Sequence, residues 1–241
     1  MKKYFSPKLL PLFPLCTGLL GLLLRVILYR VAIDEKGLII SGHILSVLPF
    51  VLTAVVLAVL FLCIRNAAPP SAYAALFPPS YTAAFGGICA AVGILLMDIY
   101  ELFMRQDAIT IACLVLGVFA AAGLICSARC RIRGKQPSFL FHTMLTLYFM
   151  VHPLSQYRFW SADPQLLNYC FHLLASVLLM LAAYYRAALD ASAGSAKRYA
   201  FYSQAALFFC CISIHGSSWL FYCAMAIWTA TNLCACTQED A

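Results

Sequence analysis

Apolar and polar residues in this chain segregate into long blocks instead of alternating on the period of an amphipathic helix or a half-buried strand. Eight apolar runs stand out: Leu9–Leu28, Leu38–Ile64, Thr82–Phe103, Ala108–Ser127, Ser138–Leu154, Leu166–Tyr185, Tyr199–Ile214 and Ser218–Cys236. Roughly 20 apolar residues take a helix across the hydrocarbon core, and six of the runs meet or approach that length. The last two are shorter and richer in polar atoms, which leaves a shallow or re-entrant final hairpin open. The period-two alternation of barrel strands is missing. In lipid every backbone donor and acceptor must be satisfied within the segment, so these runs are expected to be helices. The expected fold class is all-α: a polytopic integral membrane helix bundle of about eight transmembrane helices. It forms a single domain over 1–241, with no soluble domain.

Lys2 and Lys3 ahead of the first run resemble the start of a signal peptide. The run continues to Leu28, however, and no small-residue cleavage site follows, so an uncleaved first helix is expected. Its removal would leave seven helices.

Composition agrees with the pattern. Of 241 residues, 64% are hydrophobic and 10% charged, whereas a soluble domain carries about 25% charged residues to solvate its surface. The few charges are unevenly placed. With the N-terminus inside, the inner segments hold Lys2, Lys3, Lys8, Arg65, Arg129, Arg131, Arg133, Lys135, Arg186, Lys197 and Arg198, eleven of the sixteen cations. The outer segments hold Arg25, Arg30, Lys36, Arg105 and Arg158, with most of the acids. This bias places both termini in the cytoplasm by the positive-inside rule, and a bacterial plasma membrane is the expected location. Dispersed over helix ends, the basic residues make no nucleic-acid-binding face.

Twelve cysteines raise the question of disulfides or metals. Most lie within apolar runs, where Cys behaves as a small hydrophobe, and none lies in an outer loop. Cys63, Cys126, Cys130, Cys234 and Cys236 gather toward the inner face with only His142 near. That is not the tight ligand spacing of a zinc site, and no metal or other cofactor is expected. Walker A, dinucleotide-binding, HExxH and nucleophile-elbow patterns are absent. The inner connection from Arg65 to Tyr81 carries Pro69-Pro70 and Pro78-Pro79 among Tyr73, Phe77 and Tyr81. It reads as a semi-rigid connector lying on the inner membrane surface. Gly86, Ala90 and Gly93 form one small-residue helix face, for which Gly117, Ala121 and Gly123 offer a partner surface.

Candidate chemistry lies at the outer end of the third helix. Asp98, Glu101 and Arg105 stand at i, i+3 and i+7 and share one face. Insertion scales put the cost of a carboxylate at about 2.5–3.5 kcal/mol in a helix centre, so such a group faces a cavity, a partner or both. Arg25 on the first helix ends at a comparable depth and is the expected counter-ion. His43 on the second helix, His152 with Gln156 and Arg158 on the fifth, Asn168 and His172 on the sixth and His215 on the seventh reach the same leaflet. Asp107 and Asp163 are suited to cap the helices that follow them.

These residues suggest a permease-like or solute-binding protein, whose partners are the lipid bilayer and a small polar or ionic solute. The alternative is a structural or accessory subunit, partnered by another membrane protein or a second copy. Intramembrane hydrolysis is a third reading. Glu101 and Arg105 give an E-x-x-x-R spacing and Tyr148 and His152 an aromatic-x-x-x-His spacing, which resembles the membrane-embedded CAAX-type proteases. That resemblance would imply peptide hydrolysis, but Tyr100 stands where the family has a second glutamate and no later His–Asn element is evident. Catalysis is therefore not assigned.

Overall fold

With few polar side chains to compete for backbone groups, each apolar run closes its own hydrogen bonds as a helix. The computed structural model describes residues 11–32, 44–65, 73–161, 169–216 and 218–236. Along the chain these form α1 (Leu12–Val31), α2 (Ile44–Arg65), the single turn α3 (Tyr73–Leu76), α4 (Tyr81–Met104) and α5 (Ala108–Ile132). They continue with α6 (Phe139–Trp160), α7 (Cys170–Asp190), α8 (Ala196–Ile212) and α9 (Trp219–Ala235). No strand occurs among the described residues. Helices α1, α2, α4, α5 and α7 are long and apolar enough to cross a membrane. The chain is an all-helical membrane bundle.

Local signals set several boundaries. Ser80 Oγ accepts the Ala83 amide at the start of α4, and Asp107 Oδ1 accepts the Thr110 amide at the start of α5, at 3.3 and 3.0 Å. Helix α5 ends at Gly134, whose φ of +63° is the left-handed conformation that glycine adopts without strain.

Six helices, α4 to α9, pack each on the next in chain order, and α9 returns to α4 to close a ring. Helix α1 docks outside the ring on α8, and α2 rests on α1 and α8. Close approach depends on small residues. A Cβ at Gly86 would meet Thr231 of α9, and one at Gly93 would meet Ala224. The Gly86–Ala90–Gly93 face therefore serves α9, which corrects its expected pairing with the fourth long helix. Successive residues on a helix are rotated by about 100°, so it is Gly87, one position on, that faces Leu124 and Ala128 of α5. Gly117 returns that contact by facing Ile94 and Asp98 of α4, while Gly123 turns to the Phe141 backbone of α6.

The final pair consists of two unbroken 17-residue helices, each about 25 Å long at the α-helical rise. Every residue from Ser203 to Ser213 of α8 is buried, because α1, α2, α7 and α9 surround it. Its modest hydropathy fits a helix enclosed by protein. Lipid-type surface lies on the outside, where Leu23, Phe61, Phe85, Phe103 and Phe119 are exposed. An apolar exterior around buried polar groups is the inverse of a water-soluble domain.

Residues 66–72 of the connector before α4 lie outside the described residues, and the described part turns inward at its centre. Leu76 and Phe77 are buried, and Tyr73 Oη donates to Asp190 Oδ1 at 3.0 Å. Phe77 is drawn in because its ring covers the Arg186 guanidinium, 3.4 Å from the centroid.

Two glycines separate packing from helix propensity. Gly123→Ala places a Cβ 2.9 Å from the Phe141 carbonyl oxygen and should cost about 1–3 kcal/mol by forcing α5 from α6. Gly87→Ala meets ordinary contacts at 3.6 and 3.7 Å and should leave the unfolding temperature in detergent unchanged or raised. Equal losses for both variants would refute this account of the spacing.

Candidate functional site

Asp98 and Glu101 lie one turn apart on α4 and face the ring interior, 1% and 3% exposed. Their hydrogen-bond partners come from α6. Tyr148 Oη donates to Asp98 Oδ1 at 3.0 Å, and Gln156 Nε2 donates to Glu101 Oε1. Tyr148, His152 and Gln156 recur at i, i+4 and i+8, so one stripe of α6 addresses both carboxylates. His152 stacks on Tyr148 with ring centroids 5.4 Å apart, and Phe221 of α9 lies 4.9 Å from the His152 centroid. Gly117 of α5 makes room for Asp98, since a Cβ there would overlap Asp98 Oδ2.

The second oxygen of each carboxylate, Asp98 Oδ2 and Glu101 Oε2, is buried without a hydrogen-bond partner among the described residues. None of the ion pairs there involves either group. Arg105, one turn beyond Glu101, places its guanidinium over the Phe159 ring, 3.3 Å from the centroid. Two like-charged carboxylates one turn apart in an apolar interior repel each other and lack solvation. A proton or a small cation relieves both penalties.

Arg25 is placed elsewhere. Its Nη1 donates to the Ile212 carbonyl at 3.1 Å and its Nη2 to Tyr29 Oη at 3.4 Å, with the Phe171 ring 5.1 Å away. A cation at the C-terminus of α8 meets carbonyls that no further turn would satisfy, at the negative end of the helix dipole. It sits there because α1 packs on α8 and not on α4. His172 and His215 belong to this second group. His172 Nε2 lies 3.3 Å from the His215 carbonyl oxygen, and His215 stacks on Tyr29. Of the remaining candidates, His43, Asp163 and Asn168 fall outside the described residues. Arg158 forms a 2.6 Å ion pair with Asp107.

At the opposite end of the ring the structure assembles a cluster that the spacing did not reveal. His142 Nδ1 lies 2.6 Å from Asp190 Oδ2, and Arg186 Nε lies 3.3 Å from Asp190 Oδ1. Tyr73 joins them through Asp190, and Arg131 is buried close by. The i, i+4 spacing of Arg186 and Asp190 was the one available sequence signal.

The twelve cysteines form no disulfide among the described residues. No three His, Cys, Asp or Glu side chains converge as a metal-ligand set among the described residues. No protein-family model, curated protein or solved structure matches the chain.

The loop between α4 and α5 offers a direct test of the helix start beside the carboxylates. Asp107 accepts from Thr110 and pairs with Arg158, and these contacts hold its carboxyl below the usual carboxylate range. A depressed folded value means its contribution is present above the ordinary carboxylate pKa and is lost as pH falls through the lowered one. Asp107→Ala should lower thermal stability at neutral pH, and Asp107→Asn should lose less because the amide still caps. An Asn variant as weak as the Ala variant would argue against the capping role.

Proposed function

We propose that this chain is a permease-like membrane protein that binds a small cation or a proton at Asp98 and Glu101. One observation carries the reading: both carboxylates are buried, neither is ion-paired among the described residues, and each keeps one oxygen without a partner. A cluster that only locks helices together gains most when its polar groups are mutually satisfied, because unsatisfied ones cost stability. Here the hydrogen bonds from Tyr148 and Gln156 satisfy half of the carboxylate oxygens, and Arg105, the cation one turn beyond, acts on Glu101 without closing an ion pair. Under the positive-inside rule the site lies near the outer face of a cell membrane, of the bacterial plasma type, with both termini cytoplasmic.

Linkage fixes the sign of the expected response. Binding a proton or cation to the folded state removes buried repulsion, so stability should rise as pH falls or as the preferred cation is added. Thermal unfolding of the purified protein should be followed across pH and with lithium, sodium, potassium, magnesium and calcium in turn. Asp98→Asn and Glu101→Gln should each weaken the response, and the double variant should abolish it while keeping its helical content. At high pH the double variant should be about 1–3 kcal/mol more stable than the native chain, because a buried uncompensated charge has been removed. A native protein indifferent to pH and to every cation would overturn the proposal in favour of an accessory role. So would an undiminished response in the double variant.

A further inference from the structure

A narrow cleft of about 10 Å³ opens inside the ring at the end opposite Asp98 and Glu101. Gly87 of α4, Ser127 and Arg131 of α5, His142 of α6, Arg186 of α7 and Asn232 of α9 line it. Five of the six ring helices therefore contribute to one small polar space.

Among the described residues the cleft holds more positive charge than its acids neutralise. Arg186 is 3% exposed and is matched by Asp190, the carboxylate that also receives Tyr73 and His142. Arg131 is 6% exposed, and its Nε, Nη1 and Nη2 all lack a hydrogen-bond acceptor among the described residues. Arg186 Nη1 is buried without an acceptor as well. Phe77 covers both guanidiniums, at 3.4 Å for Arg186 and 5.0 Å for Arg131, and supplies only the weak attraction of a ring face. A buried guanidinium with every nitrogen unmatched is costly, and its planar fork fits the paired oxygens of an oxyanion.

From these observations we infer that the Arg131–Arg186 cleft is a binding site for a phosphate group. Donors converge there from Arg131, Arg186 and Ser127. A volume near that of one water-sized sphere admits about one oxygen atom, not a whole solute. The rest of the ligand stays toward the helix ends, since Arg131 is the penultimate residue of α5. Arg129, Arg133 and Lys135 stand around the same end and would draw anions toward it. Phosphate of this description comes either from the headgroup of an anionic phospholipid or from free inorganic phosphate. The site is separate from the carboxylate pair and does not depend on the function proposed for it.

The test uses the full chain, reconstituted in nanodiscs of phosphatidylcholine alone or with phosphatidylglycerol, and in detergent titrated with inorganic phosphate. Thermal stability and the number of retained lipids by native mass spectrometry are the readouts. Arg131→Gln should weaken the response to the effective probe by roughly tenfold or more, as expected for loss of a charged hydrogen-bonding partner. Arg129→Gln, which removes the same charge nearby, should change it by no more than about twofold. If Arg131→Gln fails to fold, Gly87→Ala provides the second measurement. Its Cβ would sit 3.6 Å from Ala128 and 3.7 Å from the Leu124 carbonyl oxygen. It should narrow the cleft and weaken the response with the fold intact. A response to phosphatidylglycerol alone assigns the phosphate to lipid, and one to inorganic phosphate assigns it to the free ion; either supports the site. Indifference to both probes would overturn it, as would equal losses from Arg129→Gln and Arg131→Gln. A response that emerges only when Glu239 and Asp240 are replaced by their amides would also overturn it, in favour of the chain's own acids.

Discussion

Closure of the ring rests on the contact between α4 and α9, where Gly86 and Gly93 leave no room for a side chain beside Thr231 and Ala224. Helix association in lipid lacks the hydrophobic drive available in water, so close backbone approach and dispersion must supply it. The same closeness brings Asp98 and Glu101 into the interior. On the adjacent stripe, α5 approaches α4 through Gly87 and Gly117, and Gly117 is the position that admits the Asp98 side chain. Removing either stripe of small residues would disturb the ring and the carboxylate environment together. Architecture and site are therefore one constraint seen at two levels.

Burial of charge has been handled differently at the two ends. Near Asp98 and Glu101 the direct contacts are neutral donors and aromatic rings, Tyr148, Gln156, His152 and Phe221, with Arg105 one turn beyond and not ion-paired. Near Asp190 the protein supplies cations in excess, with Arg186 and His142 on the carboxylate and Arg131 left over. A low-dielectric interior strengthens every charge interaction and every omission. Among the described residues one end thus lacks an ion-paired cation and the other an acid for Arg131. Both arise from a chain whose overall charge merely looks basic, because the local mismatches are invisible in the sum.

The sequence disclosed depth better than direction. Long apolar runs located the membrane helices, and the interruption of one run by Asp98 and Glu101 located an expensive pair. Hydropathy says how far along a helix a residue lies but not which way it faces across the bundle. That is why Arg25, at the right height, was assigned to the carboxylates although its helix docks on α8. The same limit hid α8, where Ser203 and Gln204 are buried against neighbouring helices. Arg131 was hidden by a different ambiguity. A cation in the last turn of a membrane helix ordinarily reaches solvent, and nothing local distinguishes it from Arg129 or Arg133. It is buried by the convergence of the ring helices with Phe77.

Between the two polar ends the ring is filled. Leu145 and Phe149 of α6, Leu179 of α7 and Phe221 and Met225 of α9 are fully buried. His142 and His152, one in each cluster, are ten residues apart on α6, about 15 Å along the helix. That layer suits a protein that holds a ligand at one end better than one with a standing pore. If the carboxylate site serves translocation, α6 has to shift against α9, where Tyr148 and His152 meet Phe221. Pro153 lies in α6 immediately after His152. It has no amide hydrogen to give the Phe149 carbonyl, so the helix is weakest against bending beside the groups that hold Asp98 and Glu101. Neutralising the carboxylates would loosen the grip of Tyr148 and Gln156 on α4. The energetic link from ligand to helix movement would then run through those two hydrogen bonds.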